Sequence, residues 1–527
     1  MKKFFTIFSL LSLLAVAGYS QTRYLDPVFE NVKVTKGQIY GVNATILLIT
    51  RVGQAVPERL LYDLYEPEDD TLTARPLILV FKTGNFLPIG ISGGVTGTRS
   101  DSANVEICTR LAKMGYVVAS VDYRLGWNPL AATQPERALQ LIQAAYRSVQ
   151  DVHTALRYFN LNASNLRLAT DKVTLWGIGT GGYVSLASST LDNFTDIVTT
   201  TNPAGKFLTD LDGNGTPDPM VIPFVNGDLL GTTVGIVPPG FPPFPAGDTL
   251  CYPNHVGAPE SFQLCVNMGG ALGDISWLDA SDVPFISFHV PKDQNAPYKS
   301  GVLIVPTTGD PIVEVQGSYA VAEKANQLGL NDVFKGSDDP ITDAAKAAAA
   351  VAGNEYQEGL YAFNLDVNGF GQVDGSPWTW WEPSTWDTIP NPFRPEFSLH
   401  QTAFFGDPIM SPTKGRTYID TIIAYFAPRA VRALKLEGTS AVKTLTSQEA
   451  GLVIAPNPST GSAQVRVNPN LIIKHAEVYS LNGGLLQRRT HVNTNEFLLN
   501  HNNAPAGIYL LKLHLKEGVI NSKLVIR

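Results

Sequence analysis

The stretch that most constrains this chain is Asp171 to Leu186, DKVTLWGIGTGGYVSL. Val173 to Trp176 reads as a short buried strand. Gly177, Ile178, Gly179, Thr180 and Gly181 follow as a glycine-packed turn, and the next residues open a helix. A strand that turns sharply into a helix holds the residue at its apex in strained backbone geometry. That costs about 1–3 kcal/mol for a residue with a Cβ. Glycine visits such conformations with little penalty, so Gly179 relaxes the turn and leaves its apex without a side chain.

The surrounding chain sets the context. Its 527 residues are 44% hydrophobic, enough for a sizeable core and more than one domain. The balance is acidic, 47 carboxylates against 39 Lys and Arg, and no basic stripe suggests nucleic acid. Residues 1–20 have two lysines, an apolar run and then small residues, the pattern of a secretory signal peptide cut between Ser20 and Gln21. That run is shorter than the roughly 20 residues that span a bilayer, and no later stretch is a transmembrane candidate. Of three cysteines, Cys251 and Cys265 flank a Pro/Gly-containing loop. In an exported chain they are either a disulfide pair, with Cys108 left over, or reduced structural residues like it.

Strand-like and helical runs alternate. Asn43–Arg51 and Arg59–Tyr65 precede Pro76–Lys82, a continuous apolar run typical of a buried parallel strand. A glycine-rich loop leads to a helix over Asp101–Met114, a strand over Tyr116–Arg124 and a long amphipathic helix over Gln134–Asn160. Phe262–Gly270 and Val283–Tyr298 supply further strands, Gly317–Leu328 a helix and Thr417–Leu434 a terminal helix. This order predicts a mostly parallel sheet flanked by helices. Two stretches, about 192–260 and 331–414, read as insertions. Residues 437–450 are linker-like, and from Gly451 the chain becomes short alternating strands, a separate small all-β sandwich.

With these pieces in place, residues 21–436 resemble a secreted α/β-hydrolase of the carboxylesterase and lipase kind. The resemblance rests on VFKTGNF after the apolar strand, VDYRLGWNP after the next, the glycine turn and FHVPKDQNAPY. In that family the turn is the nucleophile elbow, G-x-S-x-G, and here Gly179 stands where the serine belongs. The resemblance implies an oxyanion loop at Thr83 and Gly84, completed by the backbone N–H of Thr180. It implies an acid at Asp293, with Asp310 in TTGDPIVE as the rival, and a base at His400, the histidine between Asp293 and residue 451. Lys82 stands where a histidine often begins the oxyanion motif. With no hydroxyl at 179, the expectation is weak or absent conventional serine-esterase activity. The alternatives are an ester hydrolase using Thr180 or Ser92, or a ligand- or surface-binding pseudoenzyme. Ser92 lies in a literal G-x-S-x-G, Gly90 to Gly94, but in mid-loop without a feeding strand or a leaving helix. The ligand expected is a small-molecule ester or a polymer.

Two signals concern other ligands. DLDGNGTPD places oxygens at Asp210, Asp212 and Asn214, with Asp218 beyond and glycine at the sixth position, as in a calcium loop. Val221 stands where the closing glutamate belongs, so a structural calcium and an Asx-rich turn both remain open. No cofactor is required by the family. The tryptophans between Trp378 and Trp386 suit a sugar- or polymer-binding platform, or a lid packed on the core. Finally, APNPSTG (455–461), VYSLNGGLL (478–486), APAGIYLLKL (504–513) and the terminal KLVIR resemble the type A sorting domain of the type IX secretion system. That implies a Bacteroidetes-type exporter, passage through periplasm and outer membrane, and a partner in the secretion machinery engaged through residues 451–527.

Overall fold

The structure, a computed structural model, describes residues 22–210, 213–241, 244–304, 311–337, 339–436, 445–480, 485–501, 504–515 and 518–527. The signal peptide, Asp212, Asp310 and most of the linker lie outside the described residues. The chain divides into two compact units, Pro27–Glu437 and a C-terminal one from Gly438 to Arg527.

The larger unit is built on an eight-stranded sheet. Its strands are β1 (Val32–Thr45), β2 (Val56–Pro67), β3 (Arg75–Phe81), β4 (Val117–Val121), β5 (Leu168–Ile178), β6 (Leu264–Met268), β7 (Phe285–His289) and β8 (Leu360–Ala362). The spatial order is β1-β2-β4-β3-β5-β6-β7-β8. β1 and β2 run antiparallel to their neighbours, and the strands from β4 to β8 pair in parallel. Every residue of β3 and β4 is buried, as their uninterrupted apolar runs predict for a sheet covered on both faces.

Helices α1 (Ser102–Lys113), α2 (Gln134–Leu161), α3 (Thr180–Thr190), α4 (Ser318–Gln327), α5 (Leu399–Gly406) and α6 (Pro412–Ala433) cover the sheet or its C-terminal rim. Thr133 and Glu136 form a capping box at the start of α2. On α2, the fully buried Asp151 holds Arg124, which follows β4, through contacts of 2.9 and 3.0 Å. The second predicted insertion needs a correction. It contains β8, an edge strand of the main sheet, whose three residues are too few to give a periodic signal.

The three cysteines are free and buried, so of the two readings left open the reduced one holds. Cys265 lies in β6 between two other strands, whereas Cys251 pairs with Gly235 in a separate short hairpin.

The C-terminal unit has two antiparallel sheets. One is made of β9 (Val453–Ala455), β10 (Ser462–Arg466) and β13 (Glu496–Asn500). The other is made of β11 (Ile473–Ser480), β12 (Leu485–Arg489), β14 (Gly507–Leu515) and β15 (Val519–Ile526). Alternate residues such as Val465, Leu499, Leu511, Leu513 and Leu524 form their shared apolar core.

Candidate active site

β5 delivers the chain to the elbow. Gly179 caps α3 at φ 54°, ψ −114°, a region where a side chain is strained, and its N–H donates to the Met268 carbonyl at 2.7 Å. Gly177 and Gly181 pack so closely, against each other and against the Phe81 carbonyl, that neither position has room for a Cβ. The expected strand-to-helix turn is therefore in place, with glycine at its apex.

The space beside that apex is filled. A Cβ built on Gly179 would overlap Thr83 Oγ1 and lie 3.0 Å from Thr83 Cβ. The Thr83 hydroxyl also accepts a long hydrogen bond, 3.4 Å, from the backbone N–H of Thr180, the donor that the resemblance assigns to the oxyanion. The Thr180 side chain turns away and accepts the Asn85 N–H at 2.8 Å. Gly84, at φ 128°, packs against the backbone of Gly97 rather than opening toward the elbow. Thr83 and Thr180 thus satisfy each other and the loop.

Asp293 follows β7 in the acid position and lines the same cavity as Thr83, Gly179 and Thr180. Its carboxylate accepts the N–H of Asn295 at 2.7 Å and of Ala296 at 3.4 Å. Burial pushes its carboxyl above the usual range. Gly375 packs against the carboxyl, and a Cβ there would come 2.7 Å from its atoms. His289 is fully buried behind this turn. Its Nε2 donates to the Ala296 carbonyl at 3.1 Å, and its Nδ1 accepts from Ser318 Oγ at 2.7 Å. Burial lowers its pKa, which favours this neutral form.

His400 lies elsewhere. On α5 its Nδ1 accepts the Trp381 indole N–H at 3.1 Å, and its ring packs on Trp381 and Phe404. Among the described residues no hydrogen bond or ion pair joins it to Asp293, and no histidine lines the cavity. Ser92 does line the cavity. Its Oγ donates to the Ile89 carbonyl at 3.4 Å and accepts the Gly94 N–H at 3.3 Å, the contacts of a turn. The structure thus brings Thr83, Gly179, Thr180, Ser92 and Asp293 to one cavity and leaves His400 out of it.

That cavity has a volume of about 520 Å³. It was not legible in the sequence, because its walls come from distant segments: Trp127, Tyr146, Phe207, Trp277 and Val315 among them. Tyr183, one turn into α3, also lines it, and its buried hydroxyl has no partner among the described residues.

The remaining candidates sit apart. Asp210 accepts the N–H groups of Asn214 and Gly215 at 3.1 and 2.9 Å, and Asn214 accepts that of Thr216 at 2.7 Å, so these oxygens are engaged as in an Asx-rich turn. Asp218 is exposed, and among the described residues no group of three metal-ligating side chains assembles. Trp378, Trp380 and Trp381 are buried, the last beside Val95 and Leu399, and so offer no open platform.

Comparisons with known proteins match two parts of the chain to families. The BD-FAE family matches residues 62–210, from β2 past the elbow. The secretion system C-terminal sorting domain matches residues 453–527. Among solved structures, a thermophilic esterase of the Planctomycetes species Thermogutta terrifontis is 13% identical, with a TM-score of 0.29 over 64% of this chain and 83% of that one. A truncated carbohydrate esterase from gut microbiota is 14% identical, with a TM-score of 0.30 over 57% and 86%. A bifunctional GH43-CE protein of Bacteroides eggerthii is 16% identical, with a TM-score of 0.30 over 51% and 29%. Comparison with curated proteins gives no match. The sorting domain indicates export to the cell surface or release by the secretion machinery, and among the described residues no helix is long and apolar enough to cross a membrane. The chain therefore carries an esterase-like α/β-hydrolase domain of the BD-FAE family and ends in a type IX secretion sorting domain.

Proposed function

We propose that this exported protein uses its α/β-hydrolase domain to bind a ligand at the former ester site and carries out little or no serine-ester chemistry. The observation behind this reading is the Thr83 side chain. It fills the space a side chain on residue 179 would need and accepts the Thr180 N–H. Acyl transfer needs a nucleophile, a base to deprotonate it and a free oxyanion site. Here the apex has no hydroxyl, the acid faces Gly375, and the oxyanion donor already has a partner. The hydroxyls of Ser92 and Thr180 have only backbone partners. Even an intact oxyanion hole and binding site leave roughly 10³–10⁴-fold over water once a triad is removed.

The test is hydrolysis of short p-nitrophenyl esters by the purified full chain. The expected result is at most that residual acceleration, unchanged in Ser92→Ala. Turnover in the ordinary enzyme range, about 1–10³ per second, that is lost in Ser92→Ala or Thr180→Ala would overturn the proposal.

A further inference from the structure

The cavity is long, narrow in chemistry and polar at one end. Thr180, Tyr183 and Ala187 line it from one face of α3, and Leu191, just past the helix end, continues that face. At 1.5 Å per residue that face runs about 16 Å. α2, which packs against α3, contributes Leu141, Ile142, Ala145, Tyr146 and Val149 to the lining. The far end is closed by Ile197, Val313, Val315 and the stacked pair Phe207 and Trp277, ring centres 5.5 Å apart. The elbow end is polar: Thr83, Ser92, Asp293, Asn295, Ser376 and Thr402. Asp293 is the single ionisable carboxyl among the described lining residues, and no Lys, Arg or His stands with it. Beside it, the buried Tyr183 hydroxyl has no partner among the described residues.

We infer that the cavity takes an uncharged, extended amphiphile. Its aliphatic chain lies along α3 and its head group donates a hydrogen bond to Asp293, with Tyr183 as a second contact. The inference rests on reading the cavity as a binding site. An extended apolar wall favours a chain over a single ring, because burial of apolar surface scales with the area covered. The head must be a donor because Asp293, when ionised, only accepts. An anionic head is disfavoured, since a second carboxylate in a partly desolvated site with no cation meets like-charge repulsion.

The test uses the full chain and 1-O-dodecylglycerol, whose ether bond no esterase cleaves, with laurate as the anionic counterpart of similar length. Binding at pH 8, below micelle-forming concentrations, is read by Trp127 and Trp277 fluorescence and by calorimetry. The ether is expected to bind at least tenfold tighter than laurate. Asp293→Asn should bring the two within about threefold, and Leu191→Trp should weaken the dodecyl ligand while sparing its butyl homologue. Laurate binding as tightly as the ether to wild type, or no binding of either to a folded protein, overturns the inference. Leu191→Trp leaving the dodecyl ligand unaffected overturns the placement of the chain along α3. Turnover of p-nitrophenyl esters alongside normal ether binding would instead overturn the non-catalytic reading and leave the ligand class standing.

Discussion

The Thr83 side chain stands in the space that a Cβ on Gly179 would occupy, with its own Cβ 3.0 Å from that point. On the proposed non-catalytic reading, a serine at 179 alone would not make the site active, because Thr83 occupies the space it needs. Gly179→Ser is expected to destabilise the protein by about 2–5 kcal/mol, from backbone strain and overpacking together. It should produce no p-nitrophenyl esterase activity, because no histidine lines the cavity among the described residues. Adding Thr83→Gly should recover part of the loss, a coupling of about 0.5–3 kcal/mol in a double-mutant cycle of denaturant melts. Strict additivity would mean that Thr83 does not fill this space.

Lys82 precedes Thr83 but does not line the cavity; its buried Nζ lies 5.0 Å from the Tyr123 ring centre and has no hydrogen-bond partner among the described residues. Burial lowers its ammonium from 10.5 to about 8. Between these values the unfolded chain holds the proton and the folded protein does not, so folding becomes more favourable as pH rises from 8 toward 10.5. At neutral pH the buried charge is a cost. Lys82→Met is expected to be more stable than wild type at pH 7 by up to about 3 kcal/mol, with the difference shrinking through that window. Urea melts at pH 7, 9 and 10 check this. A constant difference would show that the lysine is not desolvated.

The pair of Arg124 and Asp151 ties α2 to the end of β4 with both side chains fully buried. Arg124 further donates to the carbonyls of Leu250 and Arg147, at 3.0 Å each, and to Gln150 at 2.8 Å. Asp151→Ala is expected to cost about 3–5 kcal/mol in chemical denaturation by leaving the guanidinium buried without its counter-charge. A loss below 1 kcal/mol would place the pair in contact with solvent.

Removal of residues 453–527 should leave the hydrolase domain folded and held in the periplasm, as shown by cell fractionation and proteolysis. Normal appearance of the truncated chain outside the cell would show that these residues are not the export signal.

Much of this fold was readable in the sequence, because buried parallel strands and long amphipathic helices carry strong periodic signals. Residues 76–82, 134–160 and 173–181 each fall close to the elements they predict. The elbow was legible because glycines at 177, 179 and 181 meet a steric demand that few other turns impose. The placement of His400 was not legible. Chain order put it after the acid, but of the residues of α5 it is Thr402 that lines the cavity, while His400 is engaged by Trp381. The role of Thr83 was equally hidden, since a contact between residues 83 and 179 has no local signature. The tryptophans drew attention by their density, yet density does not tell a buried layer from an open platform.

The most direct measurement is intact mass after incubation of the full-length protein with a fluorophosphonate, which adds covalently to an activated hydroxyl. The expected result is an unmodified chain under conditions that label an active serine esterase completely. Stoichiometric labelling, mapped to Ser92, Thr83 or Thr180, would contradict the central claim that this site binds without a nucleophile.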